Sequence, residues 1–273
     1  MTSGRPWEGG GKTVVVTGAA SGIGRATALA FAERGATVAV VDIDEEGAGK
    51  VAAECGGRAY GADVADRLAM VRLADAVNAV HGVPDVVVNN AGVGMTGRFL
   101  DTGAGDWDWI LGINLRGVIH GCQVFGPAML ARGSGHVVNV SSGLAYTPRA
   151  SEAAYVTTKA AVLALSRCLR ADWHPHGVGV SAICPGVIAT AIVESGTRYK
   201  GARADSATVE RVQRFFARRG HRAALVGDAI VDAVAHNRAV VPVGAEARLG
   251  WAMRGLVPAA AVDRMARSHL LGP

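Results

Sequence analysis

A tyrosine and a lysine stand four residues apart in the stretch YVTTK, Tyr155 to Lys159, just after the polar run SSGLAYTPRASEAA. On a helix, positions i and i+4 share a face, so the phenol and the ammonium point at the same place. A free phenol titrates near pKa ~10 and is a poor base at neutral pH. A cation beside it stabilises the phenolate and brings proton transfer at a substrate oxygen within reach. Taken alone, the pair reads more simply as chance neighbours on an exposed helix face, and other residues have to decide.

A second group of residues is suited to an anion. The run TGAASGIG places Gly18, Gly22 and Gly24 between the β-branched stretch KTVVVTG and the helically spaced IGRATALAFAERG. Glycines permit a tight turn and close backbone approach to a pyrophosphate, whose charge sits at the helix N-terminus. The spacing differs from G-x-G-x-x-G, but the strand before and the helix after are the context such a turn needs. Asp42 ends the next apolar run, about twenty residues on, where a carboxylate accepts hydrogen bonds from adenosine ribose hydroxyls. The same charge repels a 2′-phosphate and no Arg or Lys adjoins it, which favours NAD over NADP.

These groups need a scaffold, and the chain alternates strands with helices. KTVVVTG, ATVAVVDID, GRAYGADV, PDVVVNNAG, GHVVNVSS, GVGVSAICPG and RAVVPVG are apolar, β-branched runs bounded by Gly, Pro or polar residues. Between them, helical spacing is expected after Ile23, over 44–55, 65–81, 107–132 and 152–173, and across ALVGDAIVDAVAHN. Val162, Leu165, Leu169 and Trp173 make the apolar stripe of the helix that carries Tyr155. Continuous apolar strands alternating with helices imply an α/β, doubly wound parallel sheet of seven strands, covered on both faces. With 273 residues, no internal repeat and no linker, one domain over 12–273 is expected.

Composition excludes several classes. Half of the residues are hydrophobic, yet no apolar run approaches the ~20 residues of a membrane span. The start, MTSGRPWEGGGK, lacks the apolar core of a signal peptide and is expected to be a flexible leader over 1–11. Cys55, Cys122, Cys168 and Cys184 are far apart with no metal-like spacing, which implies reduced thiols, a cytoplasmic setting and no metal. The net charge of +5 is concentrated: eight Lys or Arg lie between Arg198 and Arg222, against Asp205 and Glu210. Expected partners are a small-molecule substrate and a second copy of the chain, with no nucleic acid.

The ordered set TGAASGIG, NNAG (Asn89–Gly92), Asn114 in GINLRG, Ser142 in NVSSG, YVTTK and PGVIAT (Pro185–Thr190) resembles the short-chain dehydrogenase/reductase family. The resemblance covers about Lys12 to Thr190 and weakens beyond. It implies a single Rossmann-like domain, a nicotinamide cofactor, and hydride transfer at a carbinol or carbonyl carbon. Gly18, Ser21, Gly22, Ile23 and Gly24 would meet the pyrophosphate side of the cofactor, Asp42 and Ile43 the adenosine, and Asp63 with Val64 the adenine. Asn90, Ala91, Gly92 and Val140 would border the ribose and central sheet, and Pro185, Gly186, Ile188 and Thr190 would hold the nicotinamide carboxamide.

By the same resemblance Tyr155 is the acid–base, and Lys159 favours its phenolate while holding the nicotinamide ribose. Ser142 orients the substrate oxygen, selected by its spacing to the tyrosine, with Ser141 as the alternative. Asn114 holds a water that relays protons from Lys159. Outside this set, His174 and His176 are expected to face water at a helix end, and Trp107 and Trp109 to pack beside Asn114. Tyr146 is placed either in the substrate pocket or at the surface.

Substrate choice falls to the segments after PGVIAT. Over about 190–222 an amphipathic helix is expected, with Val209, Val212 and Phe216 on one face and Arg211, Arg214 and Arg218 opposite. Together with an extended tail over 245–273 (Leu249, Trp251, Met253, Leu256, Val257) it would form an apolar lid. Its arginines could stay in water, meet an acidic headgroup of the substrate, or rest on an anionic membrane surface. Many family members end in a glycine pair after the last strand, in a tail that supports tetramers. This tail differs, and a dimer through the 107–132 and 152–173 helices is expected instead. The expected activity is an NAD-dependent dehydrogenase for a bulky apolar secondary alcohol, lipid-like or sterol-like. A ketoreductase of carrier- or CoA-linked acyl chains and a non-catalytic NAD-binding regulator are the alternatives.

Overall fold

In the computed structural model, which describes residues 7–190, 192 and 196–267, the seven apolar runs pair into one parallel sheet. Its strands are β1 (Thr13–Thr17), β2 (Thr37–Asp42), β3 (Arg58–Gly61), β4 (Val86–Asn89), β5 (Gly135–Val140), β6 (Val178–Pro185) and β7 (Val240–Val243). Across the sheet they run β7-β6-β5-β4-β1-β2-β3. The order reverses between β1 and β4, whose register pairs Val14 with Val86 and Val16 with Val88. The connections on either side of that reversal leave a crevice at the carboxyl ends of the strands.

Residues of each strand alternate between two cores. Val14 and Val16 face α1 (Gly22–Ala32), α2 (Glu45–Cys55) and, later in the chain, the helix 223–235, where Phe31, Val51 and Ile230 are buried. Val15 faces the opposite layer of α3 (Arg67–His81) and the helices that follow it, with Met70, Phe125, Met129 and Val162. Completely burying a side chain such as Phe125 contributes roughly 1.5–3 kcal/mol.

Local chemistry sets the helix ends. Asp44 accepts from the Gly47 amide at α2, Asp66 accepts from Leu68 at α3, and Gly56 closes α2 in the left-handed region at φ +64°. The long helix expected over 107–132 follows one path but is made of three parts. These are α4 (Ala104–Leu111), one π-helical turn (Gly112–Arg116) and α5 (Gly117–Arg132). Beyond it lie α6 (Ala153–Trp173), α7 (Ser206–Arg219), α8 (Ala223–Ala235), α9 (Ala245–Met253) and α10 (Ala259–Arg267). Helices α1 and α8 touch through small residues: a Cβ on Gly227 would lie 2.8 Å from the Ala26 carbonyl oxygen.

Two features depart from the sequence reading. The leader is docked from Trp7 onward: Trp7 packs edge-on against Phe31 at 4.9 Å, and the Gly9 amide donates to Arg34 O. Residues 1–6 of the expected leader and 268–273 of the expected tail lie outside the described residues. The segment over 190–222 is pinned by two short parallel pairings that periodicity does not reveal. Gly94–Thr96 pairs with Thr197–Tyr199, and Ile188–Ala189 pairs with His221–Arg222. No helix of the described residues is long and apolar enough to cross a membrane.

His136 on β5 ties the sheet to the chain before β7. Its Nε2 lies 2.8 Å from Ser181 Oγ, and that hydroxyl donates to Arg238 O, so Nε2 carries the proton. Burial, helped by the nearby Arg170 cation, lowers the imidazole from 6.5 to about 4. The unfolded chain therefore takes up a proton as pH falls below 6.5, while the folded chain takes it up only near 4. Stability is lost across that window, by about 3 kcal/mol at full extent. Thermal unfolding of a His136→Gln variant between pH 7 and 4 is expected to show a flatter acid limb than the wild type.

Candidate functional site

The alanine-rich α6 buries Val162 and Trp173 against the core, and this orientation turns Tyr155 and Lys159 toward the carboxyl end of β5. Lys159 is 4% exposed, and its Nζ donates to Val140 O at 3.0 Å. The ammonium stands 5.8 Å from the centre of the Tyr155 ring. Ser142, just past β5, lies close enough to the Tyr155 phenol to oppose the rise in its pKa, and its Oγ accepts from the Leu144 amide at 3.1 Å. Ser141, the alternative serine, uses its hydroxyl to donate to Lys159 O at 2.7 Å. Its hydroxyl therefore anchors the backbone of α6, and Ser142 is the serine beside the phenol.

Asn114 sits in the π-helical turn, fully buried. Its amide clasps Val93 from both sides, accepting from Val93 N at 2.8 Å and donating to Val93 O at 2.9 Å. It also donates to Thr158 Oγ1 on α6 at 3.2 Å. One side chain thereby joins the loop after β4 to the helix of Tyr155 and Lys159. Gly92 fills the gap between them, since a Cβ there would sit 3.3 Å from both Asn114 Oδ1 and Lys159 Nζ.

Electrostatics in this corner run opposite to the simple pairing argument. Burial pushes the Tyr155 phenol up to about 12, against the lowering effect of Ser142, and the charge of Glu152 adds to the rise. Burial likewise brings Lys159 down to about 8. Burial is the largest influence on both groups in the protein alone.

A cleft of about 460 Å³ extends from these residues along the carboxyl edge of the sheet. Gly18, Ser21, Gly22, Ile23, Asp42, Ile43, Asp63 and Val64 line one part of it. Asn90, Ala91, Gly92, Val140, Ser142, Tyr155, Lys159, Pro185, Gly186, Ile188 and Thr190 line the rest. Of the positions expected at a cofactor, Gly24 alone is not part of this lining. A Cβ on it would lie 2.1 Å from Gly18 O, so it is the close-packing glycine of the turn. Asn90 closes the same turn, donating from Nδ2 to Thr17 O at 2.9 Å and Gly18 O at 3.1 Å.

The cleft has the features an anionic dinucleotide needs. Gly18 and Gly22 have φ of +65° and +53°, and a Cβ on Gly18 would lie 2.7 Å from Ala91 Cα. Ser21 starts α1 in an extended conformation with no side-chain cap, whereas α2, α3 and α7 are each capped by an aspartate. The first amides of α1 thus face the cleft without a side-chain acceptor. Asp42 holds the turn by accepting from Ala20 N at 2.9 Å and Asp44 N at 3.1 Å, while still bordering the cleft.

A second cavity, about 530 Å³, opens on the other side of Tyr155. Ser142, Tyr155, Pro185, Gly186, Ile192 and Phe216 border both spaces. Val212 and Phe216 of α7 face this cavity, with Leu249, Met253 and Val257 from the tail. Tyr146 lines it, donates to Ala247 O at 2.9 Å and packs against Trp251 at 5.3 Å. Leu256 instead is 80% exposed. Of the lid segment, residues 191 and 193–195 lie outside the described residues.

The basic stretch is partly explained by α4. Arg198 lies over the Trp109 ring at 3.8 Å, and Lys200 pairs with Asp106 at 2.9 Å. Trp107 packs edge-on against Phe99 at 5.9 Å. Arg214 pairs with Glu210 at 3.3 Å on the exposed face of α7, where Arg211 and Arg218 also lie.

Sequence reasoning missed Glu246, in the first turn of α9. Its Oε1 accepts from Val187 N at 2.6 Å, and Oε2 lies 3.4 Å from His221 Nε2. A Cβ on Gly186 would meet that carboxylate at 2.1 Å, so the glycine is what admits it. Burial alone would raise Glu246, but the Val187 amide, its own amide and His221 together hold it below its usual range. One tail residue thus secures the Pro185–Gly186 turn and the exit of α7. A lone Glu 59 residues from its partner offers no motif to read.

Comparison with known proteins agrees with this geometry. The family profile described as short chain dehydrogenase matches residues 12–200. The "Probable oxidoreductase EphD" of Mycobacterium tuberculosis (strain ATCC 25618 / H37Rv) is 46% identical over 268 residues, 94% of this chain and 45% of that protein. The chain therefore spans less than half the length of that relative. The D-threitol dehydrogenase of Mycolicibacterium smegmatis is 42% identical over 185 residues, 66% of this chain and 71% of that one. A short chain dehydrogenase/reductase from Burkholderia phymatum, solved in complex with NAD, superposes with a TM-score of 0.83 at 29% identity, covering 96% of this chain and 97% of its own.

Glu246→Ala leaves the Val187 amide without its acceptor and is expected to lower stability by about 1 kcal/mol. Glu246→Gln keeps an acceptor oxygen and is expected to retain most of it. Thermal unfolding of the two variants at neutral pH checks this, and equal losses in both would show that the Val187 contact is not what Glu246 contributes.

Proposed function

Because the chain belongs to the short-chain dehydrogenase/reductase family, a family of oxidoreductases, we propose that it interconverts a secondary alcohol and a ketone with NAD, on a bulky, largely apolar substrate. The observation that carries the reading is the meeting of the two cavities at Ser142 and Tyr155. One space suits a dinucleotide, the other an apolar molecule, and the proton-transfer group stands between them.

In this reading Gly18, Gly22 and the open start of α1 bind the pyrophosphate. Asp42 accepts from the adenosine ribose, and exposed Ile43 with Asp63 and Val64 borders the adenine. Among the described residues lining the cleft, Lys159 is the only Lys or Arg, so nothing beside Asp42 offsets a 2′-phosphate. That supports NAD over NADP. A nicotinamide ring supplies the hydride acceptor or donor and, when oxidised, a positive charge near Tyr155.

The chain's own residues handle the proton. Ser142 hydrogen-bonds the substrate oxygen, and Tyr155 takes the hydroxyl proton during oxidation or returns it during reduction. Lys159 stands close enough to favour the phenolate once added positive charge offsets the burial that holds the phenol at about 12. Asn114 keeps Val93 and Thr158 in register with both. The presence of this whole set argues against a non-catalytic regulator, and Asp42 argues against an NADPH-driven ketoreductase.

The apolar wall formed by Val212, Phe216, Leu249, Met253 and Val257 supports a large apolar substrate over a small polyol of the kind named for the D-threitol relative. Water kept from the reacting carbon strengthens the polar contacts around it.

Tyr155→Phe is expected to reduce turnover by ~10²–10⁴-fold, the range of a general acid–base, with an unchanged unfolding temperature. With NAD bound, kcat/KM for alcohol oxidation is expected to rise with pH through an apparent pKa below ~10 that belongs to the Tyr155–Lys159 pair. Wild-type efficiency should be greater with NAD than with NADP, and Asp42→Ala should narrow that ratio without abolishing turnover. Across secondary alcohols of growing chain length, kcat/KM should climb by about fourfold per methylene until the cavity is full, following ~0.8 kcal/mol for each buried CH₂. A flat or falling series would remove the apolar-substrate reading and leave the dehydrogenase intact.

A further inference from the structure

Four charged side chains line the second cavity: Arg149, Glu152, Glu246 and Arg254. Three have their charge engaged by the protein. Glu246 holds Val187 N and His221. Glu152 accepts from Thr96 Oγ1 at 3.1 Å. Arg254 lies over the Trp251 ring at 3.4 Å and donates to Trp251 O. Arg149 differs from them: among the described residues its guanidinium has no hydrogen bond and no ion pair. Glu152 is near enough to act on its charge without pairing with it.

Its position makes that gap informative. Arg149 is half-buried, and burial lowers the pKa of its guanidinium despite the opposing effect of Glu152. A cation removed from water in an apolar wall is costly unless an anion replaces the lost hydration. The fork of donors on a guanidinium matches a carboxylate or phosphate, and such charge-assisted bonds are about twice as strong as neutral ones. Arg149 borders the second cavity but not the cleft, so it lies away from the junction at Ser142 and Tyr155. The adjoining Ala150 amide donates to Ala266 O of α10, which fixes this stretch of chain to the tail wall.

We propose that Arg149 recognises an anionic group on the substrate, carried on the apolar body away from the carbinol, so that the preferred substrates are apolar hydroxy or keto acids or their phosphate counterparts. The proposal rests on the reading of the second cavity as the substrate site. It narrows that reading from bulky apolar alcohols to amphiphiles with one apolar body and one anionic end. Lengthening the apolar body and charging its end then improve binding independently, the first through Val212, Phe216 and the tail, the second through Arg149.

The test is calorimetric binding at pH 8 in the presence of NAD, with lauric acid, methyl laurate and lauryl phosphate as probes. These have no carbinol and report the cavity without turnover. The wild type is expected to bind the acid or the phosphate about ten- to a hundredfold more tightly than the ester, the scale of hydrogen bonds to a charged group. Arg149→Gln should reduce the anions to the affinity of the ester and leave the ester unchanged, while Arg149→Lys keeps part of the preference. Unchanged thermal unfolding in Arg149→Gln separates this loss from a folding defect. The tighter of the two anions identifies the headgroup. Equal binding of acid and ester by the wild type, an equal loss for both in Arg149→Gln, or no binding of any probe overturns the proposal. Arg149-dependent binding of the acid, with no oxidation of hydroxylated analogues, would keep this anion site and sink the dehydrogenase reading instead.

Discussion

Lys159 carries an ammonium into the interior at the carboxyl end of β5, and much of the site is arranged around holding it there. A lone buried cation is expensive, so the surrounding chain supplies what water would have given. Val140 O accepts its hydrogen bond, and Ser141 fastens the turn of α6 that bears it. Gly92 leaves room beside it, and Asn114 joins the neighbouring loop to α6. Even so, burial brings Lys159 to about 8 and lifts Tyr155 to about 12. The protein alone thus keeps the phenol protonated at neutral pH and makes Lys159 easier to deprotonate than a free lysine, and added positive charge in the cleft is what would tip the phenol toward its reactive state.

The carboxyl edge of the sheet concentrates other unmet needs. Buried parallel strands satisfy their backbone within the sheet and drive the hydrophobic stability, which frees the loops at the edge to serve chemistry. The contrast at helix starts illustrates this. Asp44, Asp66 and Asp205 cap their helices with their own carboxylates, but Ser21 leaves the start of α1 open beside Gly18 and Gly22. Similarly, Arg254 has Trp251 to cover its charge whereas Arg149 has no such partner among the described residues. In both places the fold leaves a polar group facing a cavity, where a ligand of opposite charge would complete it.

The tail lines the second cavity in this protein. Helix α9 contributes Leu249 and Met253 to the wall, and Glu246 reaches across to the Pro185–Gly186 turn and His221. The wall of one cavity and the border of the other are therefore mechanically linked through a single carboxylate. The short pairings of Ile188–Ala189 with His221–Arg222 and of Gly94–Thr96 with Thr197–Tyr199 fix the two ends of the intervening segment.

The sequence by itself determined the seven strands, the helices between them, and the facing of Tyr155 and Lys159, because these depend on local periodicity and i, i+4 spacing. The glycine turn was legible from its place between a strand and a helix, and the other residues up to Thr190 that line the cleft came from the resemblance of ordered motifs to a family. The sequence could not show the burial that raises the Tyr155 phenol in the protein alone, since proximity is local but desolvation depends on everything packed around the pair. Only the tertiary structure distinguishes Ser141, whose hydroxyl donates to Lys159 O, from Ser142, which adjoins the Tyr155 phenol. It alone docked Trp7 on Phe31, inserted the π-helical turn at Asn114, and brought Glu246 to Val187. It also set Arg149 in an apolar wall without a partner among the described residues. Contacts of this kind join residues far apart in the chain and carry no local pattern, because what selects them is the shape left between elements once the sheet has packed.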